Sequence, residues 1–191
     1  MRQRINLNRR TFFLFLKILL FVKIFCFQAN NAFAQSQDIP RIPLTWNSFK
    51  KTSNPNLAYI AYTAHKTLYK YRAIQKGNLV NLKFEVRIML DTPNTVVNFR
   101  RLQSLSINGK LKLLKHEQGH TDLAVIYGRV LYNQLSAQKY TPTNFKTKTR
   151  AIYLQLMKNL AEENRRYDVE TEHGFNDEKQ KQWARNIAQR L

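Results

Sequence analysis

Hydrophobic and polar residues alternate along one stretch of the N-terminal half. Between residues 79 and 90, one side of an extended chain is apolar and the other is polar or charged. The apolar set is Leu82, Phe84, Val86 and Ile88. A period of two predicts a half-buried strand, and the turn-forming sequence Gln-Lys-Gly-Asn at 75–78 makes it the second arm of a hairpin. With the stretch before this turn, we predict three or four antiparallel strands between Leu44 and Arg101.

The period changes to that of an α-helix in the C-terminal half. Apolar residues recur at helical spacing after position 110 and predict a helix over 109–138, with Asn108 as its N-cap. A second helix follows the Thr-Pro-Thr sequence at 141–143 and ends near Gly174, a residue type common just past a helix end. Residues 176–191 predict a short amphipathic helix. The fold class is therefore α+β, with a small antiparallel sheet packed on two helices and a short C-terminal helix.

The first 34 residues predict a signal peptide. Basic residues precede a mostly apolar run from Phe12 to Phe27, and a small-x-small sequence ends at Ala34. The run is shorter than the roughly 20 residues that a membrane-spanning helix needs. We predict cleavage after Ala34 and a periplasmic or secreted protein; the alternative is an uncleaved signal anchor. Residues 35–191 then form a single domain, because a chain of this length can bury one hydrophobic core.

The chain is strongly basic, with 32 Lys and Arg against 12 Asp and Glu and a formal net charge of +20. Six of the basic residues and none of the acids lie in residues 1–34, so the predicted mature chain carries +14. Such a surface attracts anionic partners, which outside the cytoplasm are envelope polymers or lipids. Nucleic acid is not an expected partner, because no nucleic-acid-binding motif is present. A basic composition without a binding role is the alternative.

The sequence His116-Glu117-Gln118-Gly119-His120 carries the candidate chemistry. On an α-helix, residues four apart project from one face, so His116 and His120 can bind one metal ion. Glu117 is then placed to contact a water molecule on that metal, as in zinc hydrolases. The only cysteine, Cys26, lies in the predicted signal peptide, which leaves His, Asp and Glu as ligands and favours a catalytic over a structural site. An ordinary helix with two histidines and a glutamate is the alternative.

A catalytic zinc site needs a third protein ligand. Residues 123–161 contain no His, Asp or Glu, so apart from Asp122 the candidates lie after 161 or before 116. The polar sequence from Tyr167 to Gly174 closes the second helix and contains Asp168 and His173. The pattern leaves open whether this cluster completes the site or forms a solvated helix end. His65, on a predicted strand, is interpreted as a surface or hydrogen-bonded residue.

Several separated groups of residues together resemble a known family. They are Leu113 to Asp122 around the two histidines, Tyr167 to Gly174, Gln182-Trp183, and an early Pro43-Leu44-Thr45-Trp46. The combination resembles a bacterial secreted family of unknown function whose members are predicted zinc-dependent proteases. The resemblance implies a zincin-like fold and raises His173 as the third zinc ligand. One departure is Thr121, where an aromatic residue is expected.

We therefore predict a zinc-dependent metallohydrolase with Zn²⁺ as cofactor and a peptide or protein as substrate. Its ligands would be His116, His120 and His173. Glu117 would accept a proton from the zinc-bound water, and Tyr167 would stabilise the oxyanion.

Two further acids and one competing function belong to the same hypothesis. Asp168 is the alternative third ligand, and Asp122 or Asp168 would orient a ligand imidazole. The competing function is a non-catalytic, basic envelope-binding module with a structural or vestigial metal site. Glu117 separates the two, because a structural site needs the two histidines but not the glutamate between them.

Overall fold

The computed structural model describes residues 37–54 and 56–191, which form an α+β fold, as predicted. The predicted signal peptide and its cleavage site lie outside the described residues. Among the helices that are described, none is long and apolar enough to span a bilayer.

Five strands form two separate sheets. They are β1 (Lys50–Thr52), β2 (Ala61–Tyr62), β3 (His65–Lys76), β4 (Leu79–Leu90) and β5 (Val96–Asn98). The small sheet has the order β1-β5-β2, with β5 parallel to β1 and antiparallel to β2. The larger sheet is the β3–β4 hairpin, in which His65 lies opposite Leu90 and Lys76 opposite Leu79.

The hairpin confirms the strand and turn that the alternating pattern predicts. The expectation of one small sheet of three or four antiparallel strands is wrong in two respects: five strands form two sheets, and β1 and β5 run parallel. Both strands have only three residues, too few to show a period. The connection between them contains β2 and the β3–β4 hairpin. A connection of this length lets β5 pair with β1 in the same direction.

Four helices follow or flank the strands. They are α1 (Phe99–Gln103), α2 (Ile107–Ser136), α3 (Phe145–Thr171) and α4 (Asp177–Arg190). Helix α2 starts two residues before its predicted start, because the hydroxyl of Ser106, and not Asn108, accepts the hydrogen bond from the Gly109 amide at 3.1 Å. The short α1 is not predicted from the sequence because its five residues are too few to show a helical period.

Helix α2 lies at the centre of the fold, since all three hydrophobic clusters include its residues. Leu113, near its N-terminus, packs with the small sheet and α1. Leu123 packs with α3 and α4, and Val125 and residues after it pack with the hairpin and α3. His116 and His120 lie between Leu113 and Leu123, so the helix is held by packing on both sides of the candidate site.

Candidate metal centre

Helix α2 brings two imidazoles together at its buried face. His116 is 2% exposed, and its Nε2 atom lies 3.2 Å from Nε2 of His120. The two rings are nearly perpendicular, with centroids 4.8 Å apart. This is the arrangement that the four-residue spacing predicts.

Asp168 on α3 supplies the third donor atom. Its Oδ1 lies 3.1 Å from Nε2 of His116 and 2.9 Å from Nε2 of His120. A tetrahedral zinc ion with ligand bonds of 2.0–2.1 Å separates its donors by about 3.3 Å, close to these distances. Two imidazole nitrogens and one carboxylate oxygen therefore fit a metal ion, and they leave a fourth position for another ligand.

The protonation of His116 follows from a chain of hydrogen bonds. The Tyr167 hydroxyl donates to the carbonyl oxygen of His116 at 3.1 Å, because a carbonyl can only accept. That hydroxyl oxygen then accepts the 2.7 Å bond from the amide nitrogen of Gln180. The amide oxygen of Gln180 consequently faces Nδ1 of His116 at 3.2 Å. Nδ1 carries the proton, and the lone pair of Nε2 points towards Asp168.

His120 has the same arrangement on its other side. Its Nδ1 lies 2.8 Å from the side-chain oxygen of Asn164 on α3, and this oxygen can only accept a hydrogen bond, so Nδ1 carries the proton. Each Nε2 can therefore direct a lone pair towards the Asp168 carboxylate. When both Nε2 atoms are deprotonated, two lone pairs and a carboxylate converge and are stabilised by a cation, and such oriented imidazoles are typical of metal ligands.

A proton on a histidine Nε2 is the alternative to a cation at this place, and the charges of Asp168 and His120 then depend on one another. Burial alone would raise the pKa of Asp168, but hydrogen bonds to His116 and His120 and their charges hold it well below its usual range. Burial alone would lower the pKa of His120, and the hydrogen bond and charge of Asp168, with the charge of Glu117, raise it instead. A bound divalent cation would replace the shared proton, because metal ligands bind in their deprotonated forms.

A cavity of about 600 Å³ opens over the three donors. Glu117 lines it beside the histidines, and the Thr63 hydroxyl donates a short hydrogen bond to Oε2 of Glu117. His65 lines the same cavity, and its Nε2 lies 3.1 Å from the hydroxyl of Thr121. Burial, together with the charge of His120, lowers the pKa of His65 to about 4, so the residue is neutral at pH 7. The interpretation of His65 as a hydrogen-bonded residue fits this position.

His173, the predicted third ligand, borders the group of donors without joining it. Its Nδ1 lies 3.6 Å from Oδ1 of Asp168, its ring packs against Tyr59 with centroids 5.0 Å apart, and 46% of its side chain is exposed. The structure brings the alternative ligand, Asp168, to both histidines instead. The reason is the helix end: Asp168 lies within α3, whereas His173 lies beyond it in a left-handed conformation with φ of +53°.

Gly174 explains how the chain turns so closely past the site. Its φ is +88°, and a Cβ atom at this position would lie 2.9 Å from Cβ of His116. Only glycine allows both the backbone conformation and the approach. The predicted role of this glycine just after α3 is therefore correct, and its contact with His116 adds a second constraint.

The predicted role of Tyr167 as an oxyanion stabiliser is wrong for this geometry. Tyr167 is fully buried, its ring stacks on His116 with centroids 4.6 Å apart, and its hydroxyl bonds within the protein. Burial also raises the pKa of this hydroxyl. Gly119 lets the ring approach, because a Cβ atom there would lie 2.3 Å from the Tyr167 hydroxyl. Tyr167 supports His116 and does not face the cavity.

Asp122 does not orient either imidazole, contrary to the prediction for that residue. Its two carboxylate oxygens each accept a hydrogen bond of 2.8 Å from the guanidinium of Arg41. The amide of Gln118 donates to it as well. Asp122 therefore anchors the segment before β1 to α2.

One family model matches the chain. It carries the description "Bacterial protein of unknown function (DUF922)" and covers residues 43–174. The chain belongs to this family. The matched range includes His116, Glu117, His120, Asp168 and His173, so the whole candidate centre lies within the DUF922 region. No curated protein and no solved structure matches the chain.

The residues that hold the imidazoles in this DUF922 protein could not be recognised from the sequence. Asn164, Gln180 and Thr171 each lie within 3.4 Å of an imidazole Nδ1. Neutral amides and hydroxyls are common on helix surfaces and carry no motif. The one available signal is spacing, since Asn164, Asp168 and Thr171 recur at intervals of four and three and must share a face of α3.

Replacing Asn164 by Ala is expected to weaken the binding of a divalent metal ion by about 10–100-fold, because His120 loses the partner that fixes its ring and tautomer. Competition with a chelating indicator measures the affinity. Asn159→Ala makes the same change on an exposed position of the same helix and should leave the affinity unchanged. Equal affinities for the Asn164 variant and the unaltered protein would contradict the role of Asn164.

Proposed function

We propose that this protein is a zinc-dependent hydrolase of peptide bonds that acts in the periplasm or outside the cell. One observation carries the proposal: Glu117, which is not in the group of three donors, lies beside that group and lines the same cavity. A merely structural metal site has no use for a buried carboxylate next to its ligands. The proposed localisation rests on the predicted signal peptide.

The donor set favours zinc among the common metal ions. Two imidazole nitrogens with one carboxylate oxygen form a ligand set that catalytic zinc sites use, with one position left open. A zinc ion bound there would lower the pKa of a water molecule to about 7 and polarise a carbonyl oxygen. The three proposed ligands come from two helices that pack on one another. This packing would keep their donor atoms close together before any ion binds.

Glu117 is the proposed general base. Its carboxylate accepts a proton from the attacking water and can deliver it to the amine that leaves when the peptide bond breaks. The Thr63 hydroxyl holds Oε2 of Glu117, which leaves the rest of the carboxylate to act in the cavity. His173 lines the same cavity and is placed to contact a bound substrate.

The cavity suits a peptide. Apolar side chains from α2 and α3 form part of its wall: Leu113, Ala124, Met157 and Leu160. Strand β2 also lines it and is an edge strand of the small sheet, paired with β5 alone among the described strands. An edge strand presents unpaired backbone donors and acceptors, which an extended peptide can satisfy.

The second candidate is a non-catalytic module that binds anionic components of the envelope. The net charge of +14 on the predicted mature chain favours it. The two candidates differ in what they require of Glu117, because a binding module would retain its activity without a general base.

Removal of the metal tests the proposal. The purified protein is expected to contain about one zinc ion per chain and to cleave members of a mixed peptide library. A chelator should abolish cleavage and lower the melting temperature, and added zinc should restore both. Zinc without cleavage of any peptide would support the binding module instead. Absence of a stoichiometric metal would overturn both the enzyme and the metal site.

A further inference from the structure

The β3–β4 hairpin has one face that the rest of the described protein leaves uncovered. Side chains alternate across a strand, so each strand contributes six residues to this face. The inner side packs against α2 and α3 through residues such as Val86 and Tyr69. We call the other side the outer face; it consists of Lys66, Leu68, Lys70, Arg72, Ile74, Lys76, Leu79, Asn81, Lys83, Glu85, Arg87 and Met89. All except Glu85 are exposed.

The outer face is strongly cationic. Six of its twelve residues are Lys or Arg. Arg87 is paired with Glu85, the one carboxylate of this face, and Lys66 is paired with Asp91, so four of the six cations have no carboxylate partner among the described residues. Arg72 lies directly opposite Lys83 in the hairpin register. Like charges in opposite positions destabilise a strand pair, so this arrangement lowers the stability of the isolated hairpin. An anionic partner would relieve the repulsion.

Large apolar side chains lie between these charges. Leu68, Ile74, Leu79 and Met89 are 46%, 52%, 58% and 48% exposed. Ile74 and Leu79 flank the turn at Gly77, and Leu68 and Met89 lie nearer the base of the hairpin. The cations and the apolar residues therefore extend together along strands of about 40 Å.

We propose that the outer face binds the surface of a bilayer that contains anionic lipids. Cations near such a surface are attracted to lipid headgroups, and apolar side chains between them enter the boundary between headgroups and acyl chains. The stems of Lys and Arg can lie along that boundary while their charges reach the phosphates. A soluble polyanion would match the cations but not the four exposed apolar side chains. This proposal is independent of the metal site.

Vesicle binding tests the outer face. The protein to use is the chain from Gln35, which contains every described element. We would measure its co-sedimentation with two kinds of vesicle: phosphatidylglycerol and phosphatidylcholine in equal parts, and phosphatidylcholine alone. Binding is expected only to the mixed vesicles. Neutralising Lys70, Arg72 and Lys83 with Gln should weaken it about 100-fold, since each cation contributes about a fivefold factor. Replacing Leu68, Ile74 and Leu79 with Thr should weaken it about tenfold.

A matched variant separates this face from the general charge. Arg150→Gln, Lys158→Gln and Lys181→Gln remove the same charges from exposed positions on α3 and α4 and should change binding less than about threefold. If this variant and the variant at Lys70, Arg72 and Lys83 lost vesicle binding to the same extent, the assignment to the hairpin would be overturned. Unchanged binding of the Thr variant, or binding to soluble polyphosphate but not to vesicles, would overturn the assignment to lipid. Circular dichroism and zinc content should be the same for all variants.

Discussion

Replacing Glu117 by Gln is expected to abolish peptide hydrolysis while the zinc content stays at about one ion per chain. Glu117 is not among the three donors, so its loss removes none of the metal–ligand bonds. The amide of Gln has nearly the same shape, and its oxygen can still accept the hydrogen bond from Thr63. It cannot accept a proton at neutral pH. Removal of a general base lowers a rate by about 10²–10⁴-fold.

The measurement is a comparison of kcat and zinc content on the same protein preparation. Glu162→Gln makes the same substitution at an exposed position of α3 and should retain full activity. Loss of zinc together with activity would show that Glu117 supports the site instead of acting as its base. Full activity of the Glu117 variant would remove the central support for the proposed mechanism.

The part of the site on α2 could be predicted from sequence because it lies within one helix. A helical period places His116, Glu117 and His120 before any tertiary structure is known. The third donor depends on how α3 crosses α2, and sequence spacing contains no such information. Asp168 and His173 are five residues apart, and either could approach the histidines until the end of α3 is fixed. The left-handed conformation after Thr171 decides between them, since it carries His173 past the donors.

The hairpin and the small sheet differ in the same way in how far they can be predicted from sequence. Twelve-residue strands such as β3 and β4 are long enough for alternation to appear, and β4 has the predicted bounds. Strands of two or three residues form only because their partners are already in place. Buried supporting groups are equally hard to predict: the hydrogen bonds of Gln180 and Tyr167 connect α4 to α2 and α3, three elements whose packing has to be known first.

Replacing Asp168 by Ala is expected to lower zinc affinity by more than about 100-fold, whereas His173→Ala should change it less than about threefold. The first change removes a donor that lies within 3.1 Å of both imidazoles. It also removes the one negatively charged group among the three donors, which would balance part of the charge of the bound ion. Loss of a residue that only supports a ligand costs about 10–100-fold, so loss of a ligand itself should exceed that range. His173 is half exposed and contributes no donor to the group.

Activity separates the two residues further. The Asp168 variant should lose zinc and hydrolysis together, and excess zinc should restore hydrolysis only in part, because the remaining two imidazoles hold the ion in a different geometry. The His173 variant should keep its zinc, so any loss of hydrolysis would appear in kcat or KM and identify a contact with substrate. Glu172→Ala, a change at the exposed neighbouring position, controls for disturbance of the turn. Loss of zinc from the His173 variant with retention by the Asp168 variant would make His173, and not Asp168, the third ligand.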